Sequence, residues 1–213
     1  MSTTDRARQL YREIDERLLR DPEPDRFLRG LEGDPVFERD YPFPMLSGLR
    51  EVPQSPVYHP EGNVWNHTML VLRQAARRKS QSKNPRALLW AALLHDVGKA
   101  ETTRRKGGKI TTYDHDRVGA LRAEEFLRCF TEDESFVSDV AALIRWHMQI
   151  LYVADKLPFA DLPGMTAQAD ADEVALLCLC DRLGRLHADQ KREEEQNRAF
   201  LETVRSYLKT KKT

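Results

Sequence analysis

The chain has 213 residues, 40% of them apolar, and its 34 lysine and arginine residues balance 34 aspartate and glutamate residues. This length suggests one domain with a full-sized core, and the zero net charge excludes a global field that would recruit duplex DNA or anionic lipid. Three cysteines form no disulfide framework, and neither a signal peptide nor the ~18 apolar residues of a membrane span is present. We therefore expect a cytoplasmic protein without membrane partners, and the sequence does not set its oligomeric state.

The N-terminal segment is predicted to form a helix followed by a strap. Apolar residues recur at helical spacing over residues 3–20, and the sequence Asp21-Pro22-Glu23-Pro24 ends this helix because proline lacks an amide donor. Residues 34–60 contain six prolines, which predicts an extended or turn-rich segment with at most one short helix. We interpret residues 1–60 as a helix and a proline-rich strap packed on the core.

A helix from Val64 to about Arg78 is predicted by an apolar stripe at helical spacing, and Asn63 is suited to cap its first turn. The inward stripe includes His67. A single histidine on an apolar face is usually a hydrogen-bonded core residue, so His67 alone is weak support for a metal ligand.

The His95-Asp96 pair follows an almost unbroken apolar run over residues 87–94. We predict that this run belongs to a helix that Pro85 opens and that ends at Lys99. An imidazole and a carboxylate at the edge of a buried helix need compensation, because an unpaired buried charge is costly. A divalent cation is the favoured neutraliser if other ligands converge on the pair.

The rest of the chain is predicted to be a basic loop followed by four helices. Residues 101–114 read as a mobile basic loop or a small hairpin around Gly107-Gly108. Amphipathic spacing predicts helices over residues 117–130, 135–151 and 170–188, and a thin apolar stripe predicts one more after residue 190. The predicted fold class is all-α, with a core over residues 61–189 and a charged C-terminal helix and tail over residues 190–213.

Two more polar side chains fall where their helices should be apolar. His147 and Asp181 both follow apolar residues at helical spacing, so both should point inward. A carboxylate on a core face needs a cation or several donors, although Arg145 or Arg182 could serve Asp181 as an ordinary buried ion pair. Together with the inward histidine of the 64–78 helix and the His95-Asp96 pair, the coincidence favours a metal site.

The order of these residues resembles the HD superfamily of metal-dependent phosphohydrolases, in which His67, His95-Asp96 and Asp181 would each occupy a separate helix. Local segments are most similar to the HD domain at the C-terminal end of bacterial tRNA nucleotidyltransferases, the CCA-adding enzymes. These segments are Val52-Pro53-Gln54, HPEGNVWNHT over 59–68, LLHDVGK over 93–99 and DRLGR over 181–185. The resemblance covers residues 45–187 and implies an HD-domain helical bundle.

The chain also departs from the pattern of those enzymes. Residues before 50 lack the Gly-Ser followed by paired aspartates with which nucleotidyltransferases bind catalytic metals, so a free-standing phosphohydrolase is expected instead of CCA addition. Asp114 replaces the glycine of a usual Gly-His pair, so the sequence does not predict the backbone conformation beside His115. His147 lies on the helix that supplies a further histidine in two-metal members.

The resemblance implies a divalent ion held by two imidazoles and two carboxylates, those of His67, His95, Asp96 and Asp181. This mixed set suits manganese, iron, nickel, cobalt or zinc better than calcium, and magnesium is a further candidate. If Asp96 bridges, His115 and His147 would hold a second ion; with one ion, they would contact phosphate or donate a proton. The metal would lower the pKa of a water molecule and orient it for in-line attack at phosphorus.

Asp96, Lys99 and His115 are the expected catalytic residues. Lys99 lies one turn beyond the His-Asp pair, where it would offset phosphate charge or simply favour the helix dipole. Further basic residues are candidates for clamping phosphates, although a charge run is more often a solvated surface: Arg104, Arg105, Lys109, Arg182 and Arg185.

The leading prediction is a phosphodiesterase or phosphatase that acts on nucleotides or RNA ends, with 2',3'-cyclic phosphates as the preferred substrate class. Substrate class rests on the resemblance alone. The alternatives are a 5'-nucleotidase or alarmone hydrolase of the same superfamily and, in another functional class, a non-catalytic nucleotide-binding scaffold. All four core ligands are present, which argues against a scaffold because a site without catalytic function would tolerate the loss of at least one.

Overall fold

Within residues 4–211, which the computed structural model describes, the regular secondary structure is helical apart from one two-stranded hairpin. The predicted all-α fold class is confirmed. No helix in this part of the chain is long and apolar enough to cross a membrane.

The N-terminal segment consists of short helices that proline residues open. Its elements are α1 (Asp5–Arg20), α2 (Pro24–Arg29), α3 (Pro35–Arg39), α4 (Pro44–Ser47) and a 3-10 turn over Gly48–Glu51. The prediction of at most one short helix within residues 34–60 is therefore wrong. Pro35 and Pro44 each occupy the first position of a helix, where the missing amide donor costs nothing and the fixed φ angle is already helical.

The central helices follow in chain order. They are α5 (Val64–Arg78), α6 (Pro85–Leu94), α7 (Lys99–Thr102), α8 (His115–Arg128), α9 (Glu134–Trp146), α10 (Gln149–Ala154), α11 (Leu162–Gln168) and α12 (Ala171–Leu183), with a 3-10 turn over Lys79–Gln81. As predicted, Asn63 caps α5 by accepting a hydrogen bond from the amide of Asn66. Every residue of α6 from Ala87 to Leu94 is buried, so this helix lies inside the bundle.

Helix α6 ends at Leu94, earlier than the predicted end at Lys99, and residues 95–98 form a turn before α7. The cause is a close approach of two segments at Gly98. A Cβ atom on Gly98 would lie 2.3 Å from the carbonyl oxygen of His115 and 2.5 Å from the amide nitrogen of Gly119. The turn therefore holds His95 and Asp96 against the start of α8.

The basic segment forms the hairpin, one of its two predicted forms. Strand β1 (Arg104–Lys106) pairs antiparallel with β2 (Lys109–Thr111). Gly107 and Gly108 join the strands with φ angles of 56° and 75°, as a tight hairpin turn of the type I′ class requires.

The C-terminal helices differ from the prediction in their ends. Helix α9 stops at Trp146 and α10 continues after a turn, while α11 was not predicted. Helix α13 (Gln190–Thr210) docks on the bundle through the buried side chains of Phe200 and Val204. The division into segments 1–60, 61–189 and 190–213 stays a prediction.

Candidate metal centre

Six polar side chains converge where α5, the α6–α7 turn, α8, α9 and α12 meet. All six are buried: His67, His95, Asp96, His115, His147 and Asp181. The structure thus brings together both predicted ligand sets.

The first set surrounds Nε2 of His67. That atom lies 2.8 Å from Oδ1 of Asp181 and 4.0 Å from Oδ2 of Asp96. Ligand atoms of His67, His95 and Asp96 all lie within 4.8 Å of one another. Four potential donors from two helices and a turn can therefore face one cation.

The second set shares Asp96. Ligand atoms of Asp96, His115 and His147 also lie within 4.8 Å of one another, and Nε2 of His115 is 3.7 Å from Oδ1 of Asp96. One Asp96 oxygen points toward each set, which is the geometry a bridging carboxylate needs. The prediction that Asp96 bridges two ions stays a prediction.

The hydrogen bonds at Nδ1 fix which imidazole nitrogen is available to a metal. Nδ1 of His95 lies 2.9 Å from the carbonyl oxygen of Ala92. Nδ1 of His115 lies 2.7 Å from the carbonyl oxygen of Thr112, and Nδ1 of His147 lies 2.6 Å from that of Ile144. Because a carbonyl oxygen only accepts, each Nδ1 carries the proton. In the neutral form that binds a metal, each ring would then direct the lone pair of Nε2 into the cluster.

His67 lies in the middle of α5 and has a carboxylate as its partner instead. Its Nδ1 is 2.9 Å from Oε1 of Glu61. Burial lowers the pKa of His67, but hydrogen bonds to Asp181 and Glu61 outweigh burial and raise it. A cation at Nε2 would therefore displace a proton that now lies between His67 and Asp181.

Buried atoms without a hydrogen bond show that the residues present fit a cation. Nε2 of His95 and both carboxylate oxygens of Asp96 are excluded from solvent and have no hydrogen-bond partner among the described residues. Burial raises the pKa of Asp96, but His95 and Lys99 outweigh burial and hold it well below its usual range. The ionised Asp96 carboxylate and the His95 imidazole, once it has given up any proton on Nε2, form a donor set for a divalent metal.

Lys99 is buried beside this carboxylate. Its Nζ is 2.7 Å from Oδ2 of Asp96, as an ion pair without the angle of a hydrogen bond, and donates to Oε1 of Gln54 at 2.8 Å. Burial and the nearby Lys99 charge lower the pKa of His115 to about 4, so its ring is neutral at pH 7.

A cavity of about 410 Å³ opens onto the centre. Its lining includes Asp96, Lys99, His115, His147 and Asp181 together with Gln54, Tyr58 and His59. Tyr58 is exposed at 68% of its surface, so an aromatic face stands at the cavity wall.

The predicted phosphate-clamping residues separate into two groups. Arg104, Arg105 and Lys109 are exposed on the hairpin and are not among the residues that line the cavity. Arg182 and Arg185 both line it, but the Arg182 guanidinium donates to Glu193 and Gln196 of α13. Their roles stay predictions.

The two arginines considered as ordinary partners of Asp181 have other partners. Arg145 pairs with Asp116 at 2.5 Å, and Arg182 pairs with Glu193. Asp181 contacts His67, and the nearest guanidinium is that of Arg185 at 3.9 Å. The carboxylate is therefore oriented toward the histidine cluster.

Asp114 takes over the conformation that the expected glycine would have. Its φ and ψ angles are 60° and 16°, in the left-handed region that aspartate tolerates better than most residues. The departure from a Gly-His pair therefore leaves His115 in place at the start of α8.

Sequence reasoning missed the loop residues around the centre. Glu61 was quoted only as part of a similar segment, yet its carboxylate contacts Nδ1 of both His59 and His67 and accepts a hydrogen bond from the amide of Leu186. His59, from the same segment, also lines the cavity. Loop residues show no helical periodicity, so no signal in the pattern assigned them a direction.

Comparisons with known proteins agree with this geometry. The sequence pattern of the HD domain family matches residues 64–186, more than half of the chain. The multifunctional CCA protein of Actinobacillus pleuropneumoniae serotype 5b (strain L20) is 48% identical over 120 residues, which are 54% of this chain and 28% of that protein. That of Alkalilimnicola ehrlichii is 33% identical over 151 residues, or 67% of this chain and 35% of that protein. The multifunctional CCA protein of Pasteurella multocida is 27% identical over 194 residues, which are 86% of this chain and 44% of that protein. The chain spans less than half the length of these relatives.

Proposed function

The chain belongs to the HD domain family of metal-dependent phosphohydrolases, and we propose that it hydrolyses phosphate esters of nucleotides or RNA ends, with 2',3'-cyclic phosphates as the preferred class. The supporting observation is the common orientation of four imidazoles around Asp96, whose oxygens are buried without hydrogen bonds. A bound divalent cation would supply an acidic water and polarise the phosphoryl group.

The residues of the chain would have separate roles in binding metal and substrate. His67, His95, Asp96 and Asp181 would hold one ion, and His115 and His147 would hold a second or contact the phosphate. Lys99 would turn from Asp96 to a phosphate oxygen once a cation neutralises that carboxylate, because its Nζ lies at the cavity wall. Tyr58 offers an aromatic face for a nucleobase, which favours nucleotides over simple phosphate esters.

The alternatives use the same centre. A 5'-nucleotidase or an alarmone hydrolase would need the same cation, so only substrates separate them from the proposed activity. A non-catalytic nucleotide-binding scaffold has no use for buried, unsatisfied ligand atoms, whose desolvation costs free energy. The name multifunctional CCA protein belongs to longer relatives and does not extend the proposal to CCA addition.

A substrate and metal panel tests the proposal. Protein stripped of metal is reloaded singly with manganese, nickel, cobalt or magnesium and assayed on 2',3'-cyclic AMP, 5'-AMP and bis-p-nitrophenyl phosphate. We expect metal-dependent turnover that is fastest on the cyclic phosphate and is lost in Asp96→Asn, while the exposed Asp172→Asn retains it. Turnover that survives Asp96→Asn would contradict the mechanism, and nucleotide binding without metal or turnover would support the scaffold.

A further inference from the structure

A second cavity, of about 890 Å³, lies between α5, the end of α12, the turn that follows it and α13. We call it the arginine cavity, because five arginines line it: Arg73, Arg77, Arg78, Arg185 and Arg198. The chain as a whole carries no net charge, so this local excess of cations is a feature of the cavity itself.

Two of these arginines have neither a counterion nor a hydrogen-bond partner among the residues that the structure describes. Arg73 pairs with Asp25 at 2.5 Å, and Arg78 donates to the side-chain oxygen of Gln74. Arg77 and Arg198 form no ion pair with any residue between positions 4 and 211. The carboxylate in the lining, Glu194, accepts a hydrogen bond from Gln190. The cavity therefore has cationic groups available for an anionic ligand.

Buried polar atoms in the lining also lack partners. Nε of Arg185 and Oδ1 of Asn197 are excluded from solvent and form no hydrogen bond with any residue that the structure describes. Such orphaned atoms are rare in folded proteins and need an explanation. A ligand with both hydrogen-bond acceptors and donors would satisfy them, and a nucleotide has both.

Arg185 connects this cavity with the metal centre. It lines both cavities, and its Nη2 atom is 3.9 Å from Oδ2 of Asp181. A chain of phosphates that begins at the metal centre would meet Arg185 and then the unpaired arginines. Arg73 and Arg77 follow each other by one turn of α5, which places them about 6 Å apart along the helix axis.

We propose that the arginine cavity binds the phosphodiester backbone of a single-stranded RNA whose terminal phosphate enters the metal centre. This assignment rests on the proposed function and narrows it, because it makes RNA ends the substrate in preference to free mononucleotides. Arginine binds phosphate oxygens through paired, charge-assisted hydrogen bonds, and amide side chains in the lining would contact base edges.

The test compares two double variants that each remove two exposed cations. Arg77→Gln with Arg198→Gln alters the arginine cavity, and Arg6→Gln with Arg8→Gln removes the same charge from exposed positions of α1. Binding of a fluorescein-labelled ten-nucleotide single-stranded RNA with a 3'-phosphate is measured by anisotropy in EDTA. Circular dichroism and the thermal midpoint establish that both variants fold.

The cavity variant is expected to bind this RNA about tenfold more weakly than the wild type, since two charge-assisted contacts are lost. The slope of log affinity against log salt should fall by about 1.4, or ~0.7 for each phosphate contact on a single strand. The ratio of kcat/KM for a cyclic-phosphate-ended RNA to that for 2',3'-cyclic AMP should fall about tenfold as well. The α1 variant should keep the affinity and the slope of the wild type.

Three results would overturn the assignment. These are unchanged RNA affinity in the cavity variant, an equal loss in the α1 variant, and a loss of 5'-AMP binding as large as the loss of RNA binding. The last result would identify a site for free nucleotides. Anisotropy needs no turnover, so RNA affinity lost only in the cavity variant supports the assignment even where the wild type hydrolyses nothing, an outcome that would overturn only the proposed function.

Discussion

At the scale of single residues, two imidazoles of the centre donate hydrogen bonds to backbone carbonyl oxygens at helix ends. His95 and His147 cap the ends of α6 and α9, and each donates from Nδ1 to a carbonyl oxygen three residues earlier. The last carbonyls of a helix lack intrahelical partners, so they are available as acceptors. His67 lies inside α5, where carbonyls are already paired, and therefore needs a side chain as its partner.

Glu61 supplies that partner, and its removal should weaken metal binding. Burial raises the pKa of Glu61, but hydrogen bonds with His59 and His67 outweigh burial and lower it, so the carboxylate is ionised. We expect Glu61→Ala to reduce nickel affinity about 10–100-fold, the usual effect of losing the outer partner of a metal-bound histidine. Glu61→Gln retains an acceptor and should lose less.

Isothermal titration with nickel on metal-stripped protein measures this effect, and the cobalt absorption spectrum reports whether the coordination geometry changes. Glu51→Ala, at an exposed position of the 3-10 turn, is the control. Equal nickel affinity in Glu61→Ala and in the control would show that Glu61 does not position His67.

At the scale of elements, helical periodicity predicts which side chains of a long helix point inward. It does not predict where a helix ends when tertiary contacts determine that end. His67 and Asp181 were placed correctly because α5 and α12 bury one stripe or more of apolar neighbours. The end of α6 depends on contact between Gly98 and α8, which the sequence of α6 does not contain. Glu61 and Tyr58 lie in a loop without periodicity, so their directions follow only from the folded chain.

The turn at Gly98 gives a prediction about stability. Gly98→Ala places a methyl group against backbone atoms that cannot move aside, so we expect the free energy of unfolding to fall by about 1–3 kcal/mol. Gly48→Ala is the matched control, because that position has a helical φ angle and no atom within 4 Å of the added Cβ. Urea denaturation measures both, and an equal midpoint for the two variants would refute the close-approach explanation.

An ion pair within the strap should make a pH-dependent contribution to the stability of the protein. Arg50 hydrogen-bonds to Glu38 and lowers the pKa of that carboxyl, although burial opposes the shift. A lowered pKa in the folded state stabilises the protein above the usual glutamate pKa, and this stability is lost as the pH falls through the folded value. The stabilisation should be modest, about 1 kcal/mol, because both side chains are partly exposed.

Glu38→Gln tests this ion pair by urea denaturation at several pH values. The difference in unfolding free energy from the wild type should be largest near pH 6 and should shrink toward zero in acid. The exposed Glu32→Gln should differ little from the wild type at any pH, and a Glu38→Gln effect that persists undiminished in acid would contradict the electrostatic origin.

At the scale of the whole molecule, the metal centre joins parts of the chain that are far apart in sequence. Its side chains come from α5, the α6–α7 turn, α8, α9 and α12, and desolvated ligand atoms lie unsatisfied between them. Without a cation, these atoms reduce the stability of the fold. A cation that binds only the folded state should therefore stabilise the entire bundle.

Thermal unfolding in EDTA and with excess metal measures this coupling. At a free manganese or nickel concentration of 100 times the dissociation constant, the free energy of unfolding should rise by about 2.7 kcal/mol. Calcium should raise it much less, because nitrogen donors form a large part of the site and calcium prefers oxygen. Asp96→Asn should lose the metal-dependent rise because its carboxylate faces both ligand sets. A rise that is equal with calcium, or that persists in Asp96→Asn, would place the stabilising cation elsewhere on the molecule.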